Sequence, residues 1–146
     1  MPASRRDIVL AVLAAAQGAK LSPTQLQKSL FLIAKNMPEA FDSGSRFDFA
    51  PYNYGPFDAG VYSEVEVLRT ETLAEIVNSA NGRWKEYSAS QAGITKGLTV
   101  LNSLVPRQRD YVQGVVNWVR DLSFQQLVKA IYEHYPDMRV NSIFKG

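Results

Sequence analysis

The apolar positions near the start of the chain predict two helices separated by a short polar break. Residues 8–16 form an unbroken apolar run of nine. Ser4 stands where an N-cap belongs, and Asp7 places an anion in the first turn, where the helix dipole favours one. Gly18 lies just past the end. Ser22, Pro23 and Gln25 then read as a capping box with proline at the first helical position. Leu26, Leu30, Ile33 and Met37 follow at i, i+4, i+7 and i+11, one apolar helical face, and Pro38 ends the helix.

Beyond Pro38 the pattern changes period. Phe47, Phe49 and Pro51 alternate, which fits a short strand running into a loop. A third helix is expected from Phe57 or Asp58, with Asp58 near its cap and Val61, Val65 and Leu68 inward. Residues 73–79 and 83–88 flank Asn81-Gly82, the signal for a hairpin closed by a type I′ turn. Ser90 caps a fourth helix facing the core through Ile94, Leu98 and Leu101, with Gly93 and Gly97 weakening it. Pro106 opens a fifth, with Val112, Val115, Val119 and Leu122 on one face and Trp118 read as core. Ser123 caps a sixth carrying Phe124, Leu127, Val128 and Ile131, and Pro136 closes it. In the tail, Val140, Ile143 and Phe144 must dock against the domain or a second copy, making a homodimer.

The expected fold is therefore α+β and mostly α. Its core follows the winged-helix order of helix, helix, short strand, helix and β-hairpin, with two or three C-terminal helices after it. No repeat or linker divides residues 1–146, so they read as one domain.

Composition narrows the chemistry. The 146 residues contain no cysteine and one histidine, His134, which removes thiolate catalysis, Cys-based metal sites and two-histidine mechanisms. His134 stands at a helix end, where a cation suits the dipole. No phosphate-binding glycine loop, nucleophile elbow or paired-carboxylate site occurs, so the chain reads as non-enzymatic, without metal or cofactor. Arg5-Arg6 before the apolar run brushes a twin-arginine export pattern. Nine apolar residues are too few to cross a bilayer, which takes about 20. A first core helix in a cytoplasmic protein, with no membrane partner, is the reading taken.

A winged helix raises the question of DNA. The net charge is +2, from 16 Lys+Arg against 14 Asp+Glu. Arg83 and Lys85 on the wing suit phosphate. The helix before the wing, however, carries Asp58, Glu64, Glu66 and Glu71 against Arg69 alone. Carboxylates at the phosphate backbone oppose the counterion-release term that drives nonspecific binding. A DNA-binding transcriptional regulator is thus the second reading, with Arg83 and Lys85 as its contacts.

The densest signal is residues 47–57, with five aromatics in eleven positions. Rings that alternate cannot all face one core, and Tyr and Phe anchors are favoured at protein interfaces. Gly55-Pro56 reads as the turn before the next helix. Tyr52, Tyr54 and Phe57 are the first candidates for a partner surface, joined by Pro56, Tyr62 and a half-exposed Trp84. Lys28 lies on the side of the second helix away from Leu26 and Leu30, where it is either solvated or paired with a carboxylate of the third helix or of a partner.

Leu26-Gln27-Lys28-x-Leu30-Phe31-Leu32, Tyr52-x-Tyr54-Gly55-Pro56-Phe57 and Val61-Tyr62 together resemble the Panacea, or SocA-like, antitoxin domain and related YwgA-like bacterial and phage proteins. That family is marked by an L-Q-K-L-L-F helix, a Y-x-Y-G-P-[FY] turn and a following V-Y helix. Tyr87-x-x-Ser90-x-x-Gly93 is similar to a later Y-x-L-T-x-x-G element, with Ala89 and Ser90 in place of Leu and Thr. Tyr132 and Tyr135-Pro136 are similar to a closing Y-x-x-Y-P. The resemblance implies an antitoxin that neutralises a cognate protein toxin by direct binding or delivers it to a protease.

Overall fold

The computed structural model describes residues 2–145. Among the described residues, six α-helices and two antiparallel two-stranded sheets make a mostly helical α+β fold. The order is α1 (Arg5–Ala15), α2 (Pro23–Asn36), β1 (Ala50–Tyr52), β2 (Gly55–Phe57), α3 (Gly60–Thr70), β3 (Ala74–Asn78), β4 (Lys85–Ala89), α4 (Gln91–Ser103), α5 (Pro106–Asp121) and α6 (Phe124–His134). No helix among the described residues is long and apolar enough to cross a membrane.

The caps form where the sequence places them. The hydroxyls of Ser4, Ser22, Ser90 and Ser123 accept from the amides of Asp7, Gln25, Gly93 and Gln126, and Ser22 and Ser123 complete capping boxes. Helix α1 is buried from Ile8 to Ala15 on every side, as a helix apolar all round must be. Helix α2 shows more than one apolar face: α1, α3, α5, α6, β2 and β4 all pack on it, which buries Gln27, Lys28 and Ser29 with the leucines.

Four expectations change. The short strand is a hairpin, β1–β2, whose tip is Asn53-Tyr54, and Gly55-Pro56 belongs to β2 rather than to the turn. Pro51 faces Pro56 across it. An antiparallel ladder alternates pairs that exchange hydrogen bonds with pairs that do not, and two facing prolines fit only the second kind. Second, the wing has no type I′ turn. Among the described residues only Gln17 and Thr72 are non-glycines at positive φ, so Asn81 is not, while Gly82 stands at +71°. Residues 79–84 form a longer loop in which the Asn81 side-chain oxygen accepts from Ser79 Oγ and the Arg83 amide.

Third, the buried positions of α4 are Gly93, Gly97 and Leu101, with Gly97 against α1 and Gly93 against the Leu73 backbone, which leaves Leu98 exposed. A Cβ on Gly97 would lie 2.5 Å from Ala14 Cβ and 2.7 Å from the Leu10 carbonyl oxygen. The glycines that weaken the helix by propensity let two backbones touch. Fourth, Trp118 is 39% exposed rather than core. Val112, Val116 and Val119 carry the buried face of α5, and Trp118 stands on its flank beside Tyr111 and Gly114.

Two features place the site. Leu21 pairs with Tyr87 through reciprocal backbone hydrogen bonds of 2.8 and 2.9 Å, which sets the start of α2 beside the wing. The tail docks on the β1–β2 turn: the Ile143 amide donates to the Asn53 carbonyl at 2.9 Å, and Ser142 Oγ donates to the same oxygen at 3.2 Å. Of its expected apolar anchors, however, only Phe144 packs, and the Val140 and Ile143 side chains stay exposed.

Candidate functional site

Gln27 and Lys28, neighbours on α2, both reach the strand-to-helix passage after β2. Gln27 donates from Nε2 to the Asp58 carbonyl at 2.9 Å and accepts from the Asp58 amide at 3.1 Å. Lys28 Nζ donates to the Pro56 carbonyl at 3.3 Å. Asp58 in turn accepts from the amides of Gly60 and Asp48, both at 2.7 Å, and so opens α3 at Gly60 rather than at Phe57. A side-chain amide that satisfies both backbone groups of one residue works like a strand pairing and holds the Pro56-Phe57-Asp58 path in place.

Lys28 is neither solvated nor paired with a carboxylate of α3. It is 3% exposed, and burial pulls its ammonium down from 10.5 to about 7. A cleft of about 190 Å³ opens above it, lined in part by Thr24, Tyr52, Asn53, Tyr54, Phe57 and Tyr62. Tyr62 stacks on Tyr87 with ring centroids 5.5 Å apart, and its hydroxyl is pushed up to about 12 by burial. Phe57 is half-buried between Tyr52 (4.9 Å) and Tyr62 (6.0 Å). Pro56 is buried, so it shapes the wall through its carbonyl and is not itself a contact surface.

A wider groove of about 560 Å³ adjoins this cleft and shares Pro23, Thr24 and Tyr54 with it. Its rings come from three distant parts of the chain: Tyr54 at the β1–β2 tip, Trp84 on the wing and Phe124 in the first turn of α6. They are 40%, 44% and 44% exposed. Tyr54 and Phe124 meet edge to face at 5.1 Å, and Phe124 meets Phe144 of the tail at 6.2 Å. Phe124, expected in the core, is thus a wall of the groove. The amphipathic pattern misses this because the first turn of α6 overhangs the body, whereas Leu127, Val128 and Ile131 do face inward.

The remaining candidates lie elsewhere. Arg83 and Lys85 are exposed on the wing and Lys85 begins β4. The carboxylates of the helix before the wing are not all free. Glu64 is buried and accepts from Arg5 Nε at 2.6 Å and Arg6 Nε at 2.8 Å. Burial pushes its carboxyl up, but the two arginines outweigh burial and hold it below its ordinary value. Sequence spacing cannot show this pairing, because the partners are 58 and 59 positions apart. Glu66 pairs with Arg69 on the exposed face of α3. His134 is exposed and its Nδ1 lies 2.9 Å from the Ala130 carbonyl. Among the described residues no group of three His, Asp or Glu side chains is placed to hold a metal ion.

In comparisons with known proteins, no family model matches the chain, and no curated protein matches it.

Proposed function

We propose that this chain is a protein-binding module that takes a segment of a partner polypeptide along the Tyr54–Trp84–Phe124 groove, and that the partner is the toxin of a toxin–antitoxin pair. The observation that carries the binding half is the groove itself: three half-exposed rings from three separate parts of the chain, lining it together with Ser22, Pro23 and Thr24. Aromatic side chains supply large contact area at low entropic loss and are enriched at interface anchors. The Tyr54–Phe124 edge contact and the docked tail hold two of these rings ready before a partner arrives, which lowers the ordering cost of binding.

The antitoxin half rests on the motif resemblance. It is supported by where the motif residues meet: Gln27, Lys28, Tyr52, Tyr54, Pro56, Phe57 and Tyr62 converge on one cleft and its mouth. Neutralisation then follows from occlusion of the toxin surface that the groove covers, with delivery to a protease as a further route. The wing cations Arg83 and Lys85 stand beside an α3 whose outward charges include the Glu66–Arg69 pair, which gives little net attraction for a phosphate backbone.

The test is co-expression with a neighbouring gene product that arrests growth on its own. Wild type restores growth and co-purifies with it, whereas Tyr54→Ala with Trp84→Ala loses both while keeping its circular dichroism spectrum and unfolding midpoint. Full rescue by that double variant contradicts the groove. Tight duplex-DNA binding that falls steeply with salt would favour the regulator reading instead.

A further inference from the structure

The cleft beside the groove contains a cation with no anion. Lys28 Nζ has one hydrogen-bond acceptor among the described residues, the Pro56 carbonyl at 3.3 Å, although an ammonium carries three donors. The titratable groups around it are the hydroxyls of Tyr52 and Tyr54 on the hairpin, Tyr62 on α3, and Tyr132 of α6, whose ring packs on Gly55. All four are phenols rather than carboxylates. No residue lining the cleft is a carboxylate.

Gly55 keeps the approach to the ammonium open. It stands at φ +109°, and a Cβ there would come within 3.3 Å of Lys28 Cε and 3.5 Å of Nζ. A buried charge left without a counter-ion is costly, and a hydrogen-bonded anion relieves that cost.

We propose that this cleft is a carboxylate-binding site, in which an acidic side chain or terminal carboxylate of the partner polypeptide forms an ion pair with Lys28 Nζ. This rests on the protein-binding reading above and adds the chemistry of the anchor. A polypeptide carboxylate suits the site because a single cation stands at the base, the walls are rings that suit a carbon stem, and the mouth continues into the aromatic groove. A volume of about 190 Å³ is far above what a single water needs and leaves room for a carboxylate with a short stem. The low affinity of free Lys28 for its proton agrees with a site built to receive an anion: pairing restores the charge that burial opposes.

The test uses the full chain with 13C-labelled lysine and two blocked dipeptides, N-acetyl-Phe-Glu-amide and N-acetyl-Phe-Gln-amide, as probes. The Lys28 Cε resonance is assigned by its loss in Lys28→Met and, should that variant fold poorly, in Lys28→Arg. The glutamate probe is expected to shift the Lys28 signal selectively and raise its titration midpoint by one pH unit or more, a tenfold linkage. The glutamine probe leaves the midpoint in place. Equal effects of the two probes, or a Lys28 midpoint that neither moves, overturn the carboxylate site. Either result is read without any partner protein, so it stands apart from growth rescue by the groove.

Discussion

The ammonium of Lys28 rests 3.3 Å from the carbonyl oxygen of Pro56, buried and with no carboxylate beside it. Folded Lys28 releases its proton near pH 7, and an unfolded lysine near 10.5. Between those values the unfolded chain holds the extra proton, so stability rises with pH. Tyr62 does not interfere below pH 10, because an unfolded tyrosine releases its proton only near 10.0 and folding raises its hydroxyl further, to about 12. Urea midpoints are therefore expected to climb from pH 7 to 9.5 in wild type. Lys28→Met, which removes the titration, should show a smaller rise. Parallel profiles would place Lys28 in a wetter setting than its burial indicates.

Gln27→Leu removes both side-chain hydrogen bonds to the Asp58 backbone and leaves a half-buried amide and carbonyl without partners. Unsatisfied buried groups cost about 1–3 kcal/mol each, so a loss of about 2–4 kcal/mol is expected. Denaturant unfolding should show a lower midpoint at unchanged slope.

Glu64→Gln leaves Arg5 and Arg6 facing a neutral amide. Both arginine side chains are partly exposed, so the expected loss at pH 7 is modest, about 1–2 kcal/mol. A carboxyl held below its ordinary value stabilises the fold above that value and loses the contribution as pH falls through the folded one. The difference between variant and wild type should therefore shrink below about pH 4.5, measured by thermal unfolding across the acid range.

Gly97→Ala sets two effects against each other. Alanine favours the helix by about 1 kcal/mol, but its Cβ would meet Ala14 at 2.5 Å and the Leu10 carbonyl at 2.7 Å. Overpacking of this kind costs about 1–3 kcal/mol. Since the Leu10 contact is backbone and cannot rotate away, a net fall in thermal midpoint is expected.

The elements were legible where local chemistry decides them. Ser4, Ser22, Ser90 and Ser123 cap the helices they precede, and Pro23 and Pro106 open theirs, because capping depends on three or four adjacent residues. What escaped depends on neighbours remote in sequence. Lys28 is buried because β2 and α6 close over a second side of α2, and periodicity along one helix does not count its neighbours. Glu64 meets two arginines from the other end of the domain. Trp118 and Phe124 follow their helical patterns into half-exposed positions outside the core. Gly93 and Gly97 read as weak points until the Leu73 backbone and α1 are placed against them. Of the site, the aromatic turn was visible in the sequence, but its partnership with Phe124 and the unpaired cation beneath it were not.

The two tryptophans allow a direct test of the groove, because they stand on different surfaces. Trp84 lines the groove with Tyr54 and Phe124, whereas Trp118 lines a separate hollow of about 460 Å³ between α5 and α6. With both replaced biosynthetically by 5-fluorotryptophan, 19F NMR reports the two faces in one sample. On titration with the growth-arresting partner, the Trp84 resonance is expected to shift and the Trp118 resonance to hold its position. A Trp118 shift with Trp84 unmoved would contradict the account and put the partner on the opposite hollow.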